Sequence, residues 1–260
     1  MFIFIPPSES KAVPGDAGPA ELGSLALPEL AATRRALREA LVGLCRGPAE
    51  DALGVLGLSS GLAGELAYNQ GLRKAPAAAA ADVYTGVLYD AFGLPSLRQR
   101  GVTVDHVLIF SGLWGVVRPN DRIPHYRCSA GVKLPGLGSV STVWREALRA
   151  PLAAHVGEEL VVDLRSGAYA GFWQPGANAV TLRVLHEYRA GGRTVRKIIS
   201  HHNKATKGRL ARALLESGQV PGKPAEFVDV VRDLGFTVEP GPEPTRPHSP
   251  TTMDVVVSEL

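Results

Sequence analysis

The sequence predicts a domain of mixed α and β structure, and three observations carry that prediction. Short apolar runs at Phe2 to Ile5, His106 to Phe110 and Leu160 to Leu164 read as buried strands. Longer segments between them repeat apolar residues at helical spacing. Val180 to Tyr188, Gly191-Gly192 and Thr194 to Ser200 read as an alternating strand, a turn and a partner strand. At 260 residues with 45% apolar content, the chain suffices for one large domain or two small ones.

The elements follow in order. Phe2 to Ile5 is stopped by Pro6-Pro7, so Ser8, Glu9, Ser10 and Lys11 lie just past a strand end. Residues 12–27 are a Gly/Pro-rich loop. Pro28 opens a helix with Leu30, Leu37, Leu41 and Leu44 on one face, and a second helix covers about 48–57. Residues 60–75 are helix or loop. A helix is expected over 83–92 and a turn or short helix over 95–100. The strand at His106 to Phe110 runs into Ser111-Gly112, small residues that permit close backbone approach. Val140 to Ala154 is a helix with Trp144 and Leu148 inward. After the hairpin comes a helix over 203–217, capped by Asn203 at its start and by Gly218 at its end. A last helix spans 224–234, followed by a short strand at Phe236 to Val238. From Pro240 the chain holds five prolines in eleven residues, and residues 240–260 are expected to be a disordered tail.

Composition excludes several classes. Two cysteines, Cys45 and Cys128, are too few for a disulfide framework and lack zinc spacing. No segment has the length of a membrane span, and the five-residue apolar start is too short for a signal peptide. A soluble cytoplasmic protein with no membrane partner is expected. GxxxxGK[ST], GxGxxG after a strand, HExxH and CxxC are all absent, so no cofactor or metal is expected.

Charge is concentrated. The net formal charge is only +3, yet Arg189 to Arg212 holds eight Lys or Arg and no Asp or Glu. Lys204 and Lys207 are three apart and share a helix face, and Arg209 continues the basic side. Such a surface suits phosphate-rich partners; the plainer reading is a solvated helix. A second cluster, Arg118, Asp121, Arg122, His125, Tyr126 and Arg127, lies in a proline-bounded loop. It reads as a site or as a loop pinned by an Arg–Asp pair. Ser8 with Lys11, and Asp82 with Tyr84 and Thr85, form smaller clusters.

Together these segments resemble the YaaA (peroxide stress protein) family. The resemblance rests on PPSESK (Pro6 to Lys11), DVYTG (Asp82 to Gly86), SGLWGVVRPNDRIPHYR (Ser111 to Arg127), VVDLRSGAY (Val161 to Tyr169) and KIISHHNKATKGRLAR (Lys197 to Arg212). It implies a single α/β (α+β) domain over residues 1–239, with a mixed sheet flanked by helices. It also implies a helix–hairpin–helix-like basic element beside a positive cleft, and a cytoplasmic role in resisting hydrogen peroxide.

Two functional readings result. In the first, the protein binds double-stranded DNA without strong sequence preference. Lys197, His201, Lys204, Lys207 and Arg209 meet phosphates, and Ser8, Arg118, Arg122 and Arg127 line the same cleft. In the second, that cleft holds a nucleotide, damaged base or other small anionic substrate. Lys11 or Lys204 is then nucleophile or base, positioned by Tyr84, Asp121 and Tyr126. An open groove favours DNA, and a closed pocket favours an enzyme. A third reading, iron held by His125, His201 and His202, lacks a carboxylate–histidine spacing. A monomer or weak oligomer is expected.

Overall fold

Phe2–Ile5 is apolar and buried at every position. Such a run suits a strand covered on both faces, the habit of parallel sheets, and it forms β1. The structure is a computed structural model and describes residues 1–15, 17–190, 193–243, 247 and 249–258. After β1 come α1 (Ala31–Arg46), α2 (Ala49–Leu56), α3 (Glu65–Gly71), β2 (Ala78–Ala79), α4 (Ala80–Val83), α5 (Val87–Phe92) and α6 (Leu94–Gln99). The middle of the chain supplies β3 (Val107–Ser111), β4 (Gly115–Val117), β5 (Arg122–Ile123), β6 (Lys133–Leu134), β7 (Gly138–Ser139) and α7 (Val140–Val156). Then follow β8 (Val161–Asp163), α8 (Gly167–Ala170), β9 (Ala179–Ala190), β10 (Arg193–Lys197), α9 (Ser200–Ser217), α10 (Pro224–Asp233), β11 (Thr237–Pro240) and β12 (Thr251–Val257).

One sheet organises the molecule, in the order β11-β12-β9-β8-β1-β3-β4, with β10 paired to β9. Strands β3, β1, β8, β9 and β12 run parallel. The edge strands β4 and β11 and the hairpin strand β10 are antiparallel to their neighbours. The chain is therefore a mixed α/β domain with helices against a mixed sheet. The parallel centre brings the C-terminal ends of β1, β3 and β8 to one edge, where ligands usually sit in such sheets.

Two buried cations brace this frame. Arg34 on α1 donates to the carbonyls of Leu22, Ala26, Leu27, Trp114 and Val116, tying the loop before α1 to β4. Arg165 forms a two-point pair with Asp163 at 2.8 and 2.6 Å. Its guanidinium lies 4.2 Å from the Phe110 ring centroid. Helix α9 packs closely on α5 at Gly208, where a Cβ would collide with the Leu88 carbonyl and lie 2.9 Å from the Ala91 Cβ.

Several expectations change. The helix expected over 83–92 breaks at Tyr84 to Gly86, where Gly86 takes φ +96. Helix α9 begins at Ser200, not at residue 203. Its N-cap is Ile199, and Asn203 N–H donates within the helix to the Ile199 carbonyl at 2.9 Å. Asn203 is therefore not the cap, and the His201-His202 backbone belongs to the first turn of α9. The basic segment does form two strands and one helix, as its sequence predicts, and its Gly191-Gly192 turn lies outside the described residues. Thr251–Val257, expected to be part of a disordered tail, form β12 between β9 and β11. Gly218 does end α9 in a left-handed conformation, φ 68. Among the described residues no helix is long and apolar enough to cross a membrane.

Candidate functional site

At the C-terminal edge of the parallel strands lies a cavity of about 350 Å³. The loop after β1 supplies Pro6 to Ser10, the start of α5 supplies Thr85 to Tyr89, α8 and its cap supply Tyr169 and Ser166, and α9 supplies Lys204. The Ser8 hydroxyl donates to the Ser10 carbonyl at 2.6 Å and accepts from the Thr85 N–H at 3.2 Å. The Tyr89 hydroxyl donates to the Pro6 carbonyl at 2.7 Å. These bonds fix the wall without consuming the hydroxyls of Ser10, Thr85 and Ser166.

Behind this wall stands Lys11, bridged in antiparallel fashion to Tyr84. Its Nζ donates to the Ser8 carbonyl at 2.7 Å and lies 4.4 Å from the Tyr126 ring centroid and 5.5 Å from that of Tyr84. Burial, reinforced by the nearby Arg127 charge, lowers the Lys11 amine to about 8. The Tyr84 and Tyr126 hydroxyls are 2.8 Å apart, and Ser111 Oγ is 2.7 Å from that of Tyr126. Ser111 Oγ accepts the N–H groups of Leu113 and Trp114 at 3.2 and 3.0 Å. Burial raises Tyr84 to about 12 and raises Tyr89, Tyr126 and Tyr169 as well.

The nearby carboxylates are engaged elsewhere. Glu9 pairs with Arg127 at 2.8 Å, and Arg127 also donates to the Glu9 carbonyl at 2.9 Å. Glu65 holds His125 Nε2 at 2.9 Å. Asn69 clamps the Arg127 main chain, donating to its carbonyl and accepting from its N–H, both at 2.9 Å.

The fold thus gathers Ser8, Lys11, Tyr84, Tyr126, Arg127 and Lys204 at one edge. Other candidates lie elsewhere. Strand β4 runs back along β3, so Arg118, Asp121 and Arg122 are carried toward the start of β3, where Asn120 donates to Asp105 at 3.3 Å. Asp121 accepts the N–H groups of Ala26 and Arg118 at 2.7 and 2.9 Å, which pins the loop. Arg122 donates to the Ala77 carbonyl. Lys207 is drawn inward to the Leu164 carbonyl at 3.2 Å, and burial lowers its pKa. Arg209 lines a different cleft, with Phe236 and Val256. Lys197 is exposed on the hairpin, 5.9 Å from the Tyr188 ring centroid. The His201 side chain lies outside the described residues, and the His202 ring packs 5.1 Å from that of His186. Among the described residues no group of three or more His, Cys, Asp or Glu is placed to hold a metal ion.

Tyr89, Tyr169 and Ser166 were not singled out by sequence reasoning as site residues. Tyr169 closes the VVDLRSGAY segment, whose Arg165 donates to the Tyr169 carbonyl at 3.2 Å and so sets this wall.

Comparison with known proteins decides the family. The description "Peroxide stress protein YaaA" matches residues 1–240. The chain belongs to the YaaA peroxide stress protein family. A UPF0246 protein of Streptomyces coelicolor is 48% identical over 266 residues, covering 100% of both chains. One from Corynebacterium efficiens is 42% identical over 244 residues, 92% of this chain and 95% of its own. Another, from Corynebacterium glutamicum, is 35% identical over 246 residues, 93% and 96% respectively. In this YaaA-family chain β12 lies beyond the family match but within the stretch aligned with the Streptomyces relative.

Proposed function

We propose that this YaaA-family protein serves the peroxide stress response by binding, and acting on, a small anionic substrate of nucleotide size at the edge of its parallel strands. The observation that carries this reading is the cavity itself. At about 350 Å³ it falls in the range of small-molecule sites, which are mostly apolar with a few placed polar groups. Lys204 stands at its rim as the cation, Ser10, Thr85 and Ser166 offer hydroxyls, and Tyr89, Tyr169 and the two prolines supply apolar wall. Lys11 and Tyr84 are the groups suited to chemistry. Calorimetric titration with inorganic phosphate and with AMP tests the reading. Saturable binding that falls at least severalfold in Lys204→Ala supports it, and the absence of binding by either probe overturns it.

Binding of duplex DNA is the second reading. It is favoured by the exposed cations Arg189, Arg193, Lys197 and Lys204 along the hairpin and the start of α9. Against it, Lys204 and Arg209 line different cavities on α9, and Arg212 is tied to Glu216 at 2.9 Å. A phosphate-tracking surface should show fluorescence anisotropy with a steep salt slope, reduced in Lys197→Ala/Lys204→Ala. A flat titration at low salt removes this reading.

A further inference from the structure

We propose that Glu9 sets the specificity of the cavity: its carboxylate takes the vicinal hydroxyls of a ribose whose single phosphate is held by Lys204. The inference rests on the small-anion reading above and names the substrate class for that site. The class is a ribose carrying one phosphate, either free or within a ribonucleoside monophosphate. Three observations carry it.

First, the loop that presents Glu9 is tied down before any ligand arrives. Pro6 and Pro7 fix its first two φ angles. Side chains then engage the carbonyls of Pro6, Ser8, Glu9 and Ser10. The Tyr89 hydroxyl donates to the Pro6 carbonyl at 2.7 Å and Lys11 Nζ to that of Ser8 at 2.7 Å. Arg127 Nη1 donates to the Glu9 carbonyl at 2.9 Å, and the Ser8 hydroxyl to the Ser10 carbonyl at 2.6 Å. Lys11 thus holds the loop from behind, and Glu9 and Ser10 face the cavity. A loop so fixed loses little further freedom on binding, which is the condition for a selective contact.

Second, the Glu9 carboxylate is charge-balanced but not filled. Its Oε2 pairs with Arg127 Nη2 at 2.8 Å, and among the described residues Oε1 has no hydrogen-bond partner. A carboxylate offers about four acceptor positions, so about three stay open. The side chain is 62% exposed and lines the cavity. Because Arg127 already supplies the countercharge, the open positions suit neutral donors better than a second cation. The adjacent hydroxyls of a sugar are such donors. In dinucleotide-binding α/β folds an acidic side chain at this edge of the sheet takes a ribose hydroxyl in the same way.

Third, the lining limits the number of phosphates. Among the described residues that line the cavity, Lys204 is the one cation and Glu9 the one carboxylate. A single phosphate meets a single lysine there. A polyphosphate would set several negative charges against that lysine and beside a carboxylate. The hydroxyls of Ser10, Thr85 and Ser166 complete a wall that bonds a sugar through neutral groups.

The test is calorimetric titration of the full chain with AMP, 2′-deoxy-AMP, ATP, ribose 5-phosphate and inorganic phosphate. AMP and its deoxy form share base and charge and differ by one hydroxyl, so the central comparison needs no variant. AMP should bind about tenfold more tightly than 2′-deoxy-AMP, the size of a hydrogen bond to a charged acceptor. ATP should bind no more tightly than AMP. In Glu9→Gln the preference for AMP should fall to within about twofold, because the amide is a weaker acceptor. Inorganic phosphate should bind that variant at least as well as wild type, since a negative charge has left the cavity. Loss of phosphate affinity together with AMP affinity would mean only that the loop has loosened, and it overturns the role given to Glu9. Equal affinity of the wild type for AMP and 2′-deoxy-AMP, or tighter binding of ATP than of AMP, overturns the ribose monophosphate class and leaves the cavity an anion site. Absence of binding by both phosphate and AMP removes the small-anion reading and this inference with it. Ribose 5-phosphate binding as tightly as AMP assigns the site to a free sugar phosphate, and much weaker binding assigns it to a ribonucleotide.

Discussion

Replacing Arg34 with methionine should be among the most damaging single changes in the core. Arg34 is 0% exposed. Its donors satisfy five carbonyls, those of Trp114 at 3.0 Å, Val116 at 2.9 Å, Leu27 at 3.1 Å and Leu22 at 3.4 Å, and the Ala26 carbonyl. Methionine fills much of the same volume and donates nothing. The Leu27 carbonyl keeps the Leu30 N–H at 3.0 Å; each of the other four left without a partner costs about 1–2 kcal/mol, a gross loss of about 4–8 kcal/mol. Removing the charge returns part of this, because burial already holds the guanidinium down at about 10. A net destabilisation of about 3–5 kcal/mol results, the usual cost of breaking a buried charged network. For a domain of this size that corresponds to a fall in Tm of about 10 °C. Thermal and urea unfolding followed by circular dichroism would measure it, with the exposed neighbour Arg35→Met as a control expected to stay within about 0.5 kcal/mol of wild type. A change at Arg34 below about 1 kcal/mol would refute the assignment of these five acceptors to one side chain.

Four further outcomes follow from the same geometry. Asp163→Asn should cost about 3–5 kcal/mol in urea unfolding, because it leaves the Arg165 guanidinium buried without its carboxylate; the same variant should weaken phosphate binding by displacing the Tyr169 wall. Gly208→Ala should lose about 1–3 kcal/mol, since the added methyl meets the Leu88 carbonyl and Ala91; a neutral result would mean that α5 and α9 separate easily. Deleting residues 251–260 removes β12 from between β9 and β11 and with it buried Met253, Val255 and Val256, so size-exclusion chromatography should show aggregation through the bared strand edges. Lys11 has a folded pKa near 8, below its unfolded value. The unfolded chain therefore binds the extra proton between about pH 8 and 10.5, and stability rises with pH there. Wild type should gain on Lys11→Met as pH rises from 8 to 9.5 in urea titrations, and a constant difference would contradict the lowered amine.

The parts of the fold that could be read from the sequence are those where burial leaves a one-dimensional trace. Strands β1, β3 and β8 are covered on both faces, so FIFI, VLIF and VVD appear as unbroken apolar runs. Helix α7 shows Trp144, Leu148 and Leu152 at helical spacing, all buried. The C-terminal strand was lost to a compositional argument. Prolines at 240, 242, 244, 247 and 250 argue against regular pairing, yet Pro240 ends β11 opposite Met253, and beyond the prolines TTMDVVV is a β-branched run that can pair on its own. The start of α9 was misplaced because Asn203 is a good cap in isolation, while the chain enters the helix three residues earlier from Ile199.

The site divides in the same way. Ser8 and Lys11 were legible because a strand end followed by polar residues is a topological address, and in a parallel sheet all such addresses share an edge. Tyr84 and Arg127 come from separate segments, and only the tertiary bridge to Lys11 and the ion pair to Glu9 bring them there. The cations of the basic segment diverge by angle. On a helix Lys204 and Lys207 are about 60° apart, whereas Lys204 and Arg209 are about 140° apart and cannot share a face. The first angle permits two contacts with one ligand, but Lys207 is turned under the helix to the Leu164 carbonyl. A run of eight cations thus places only one of them, Lys204, on the cavity wall. One cation on that wall suits the small anion proposed above better than a phosphate backbone, whose binding draws on many cations.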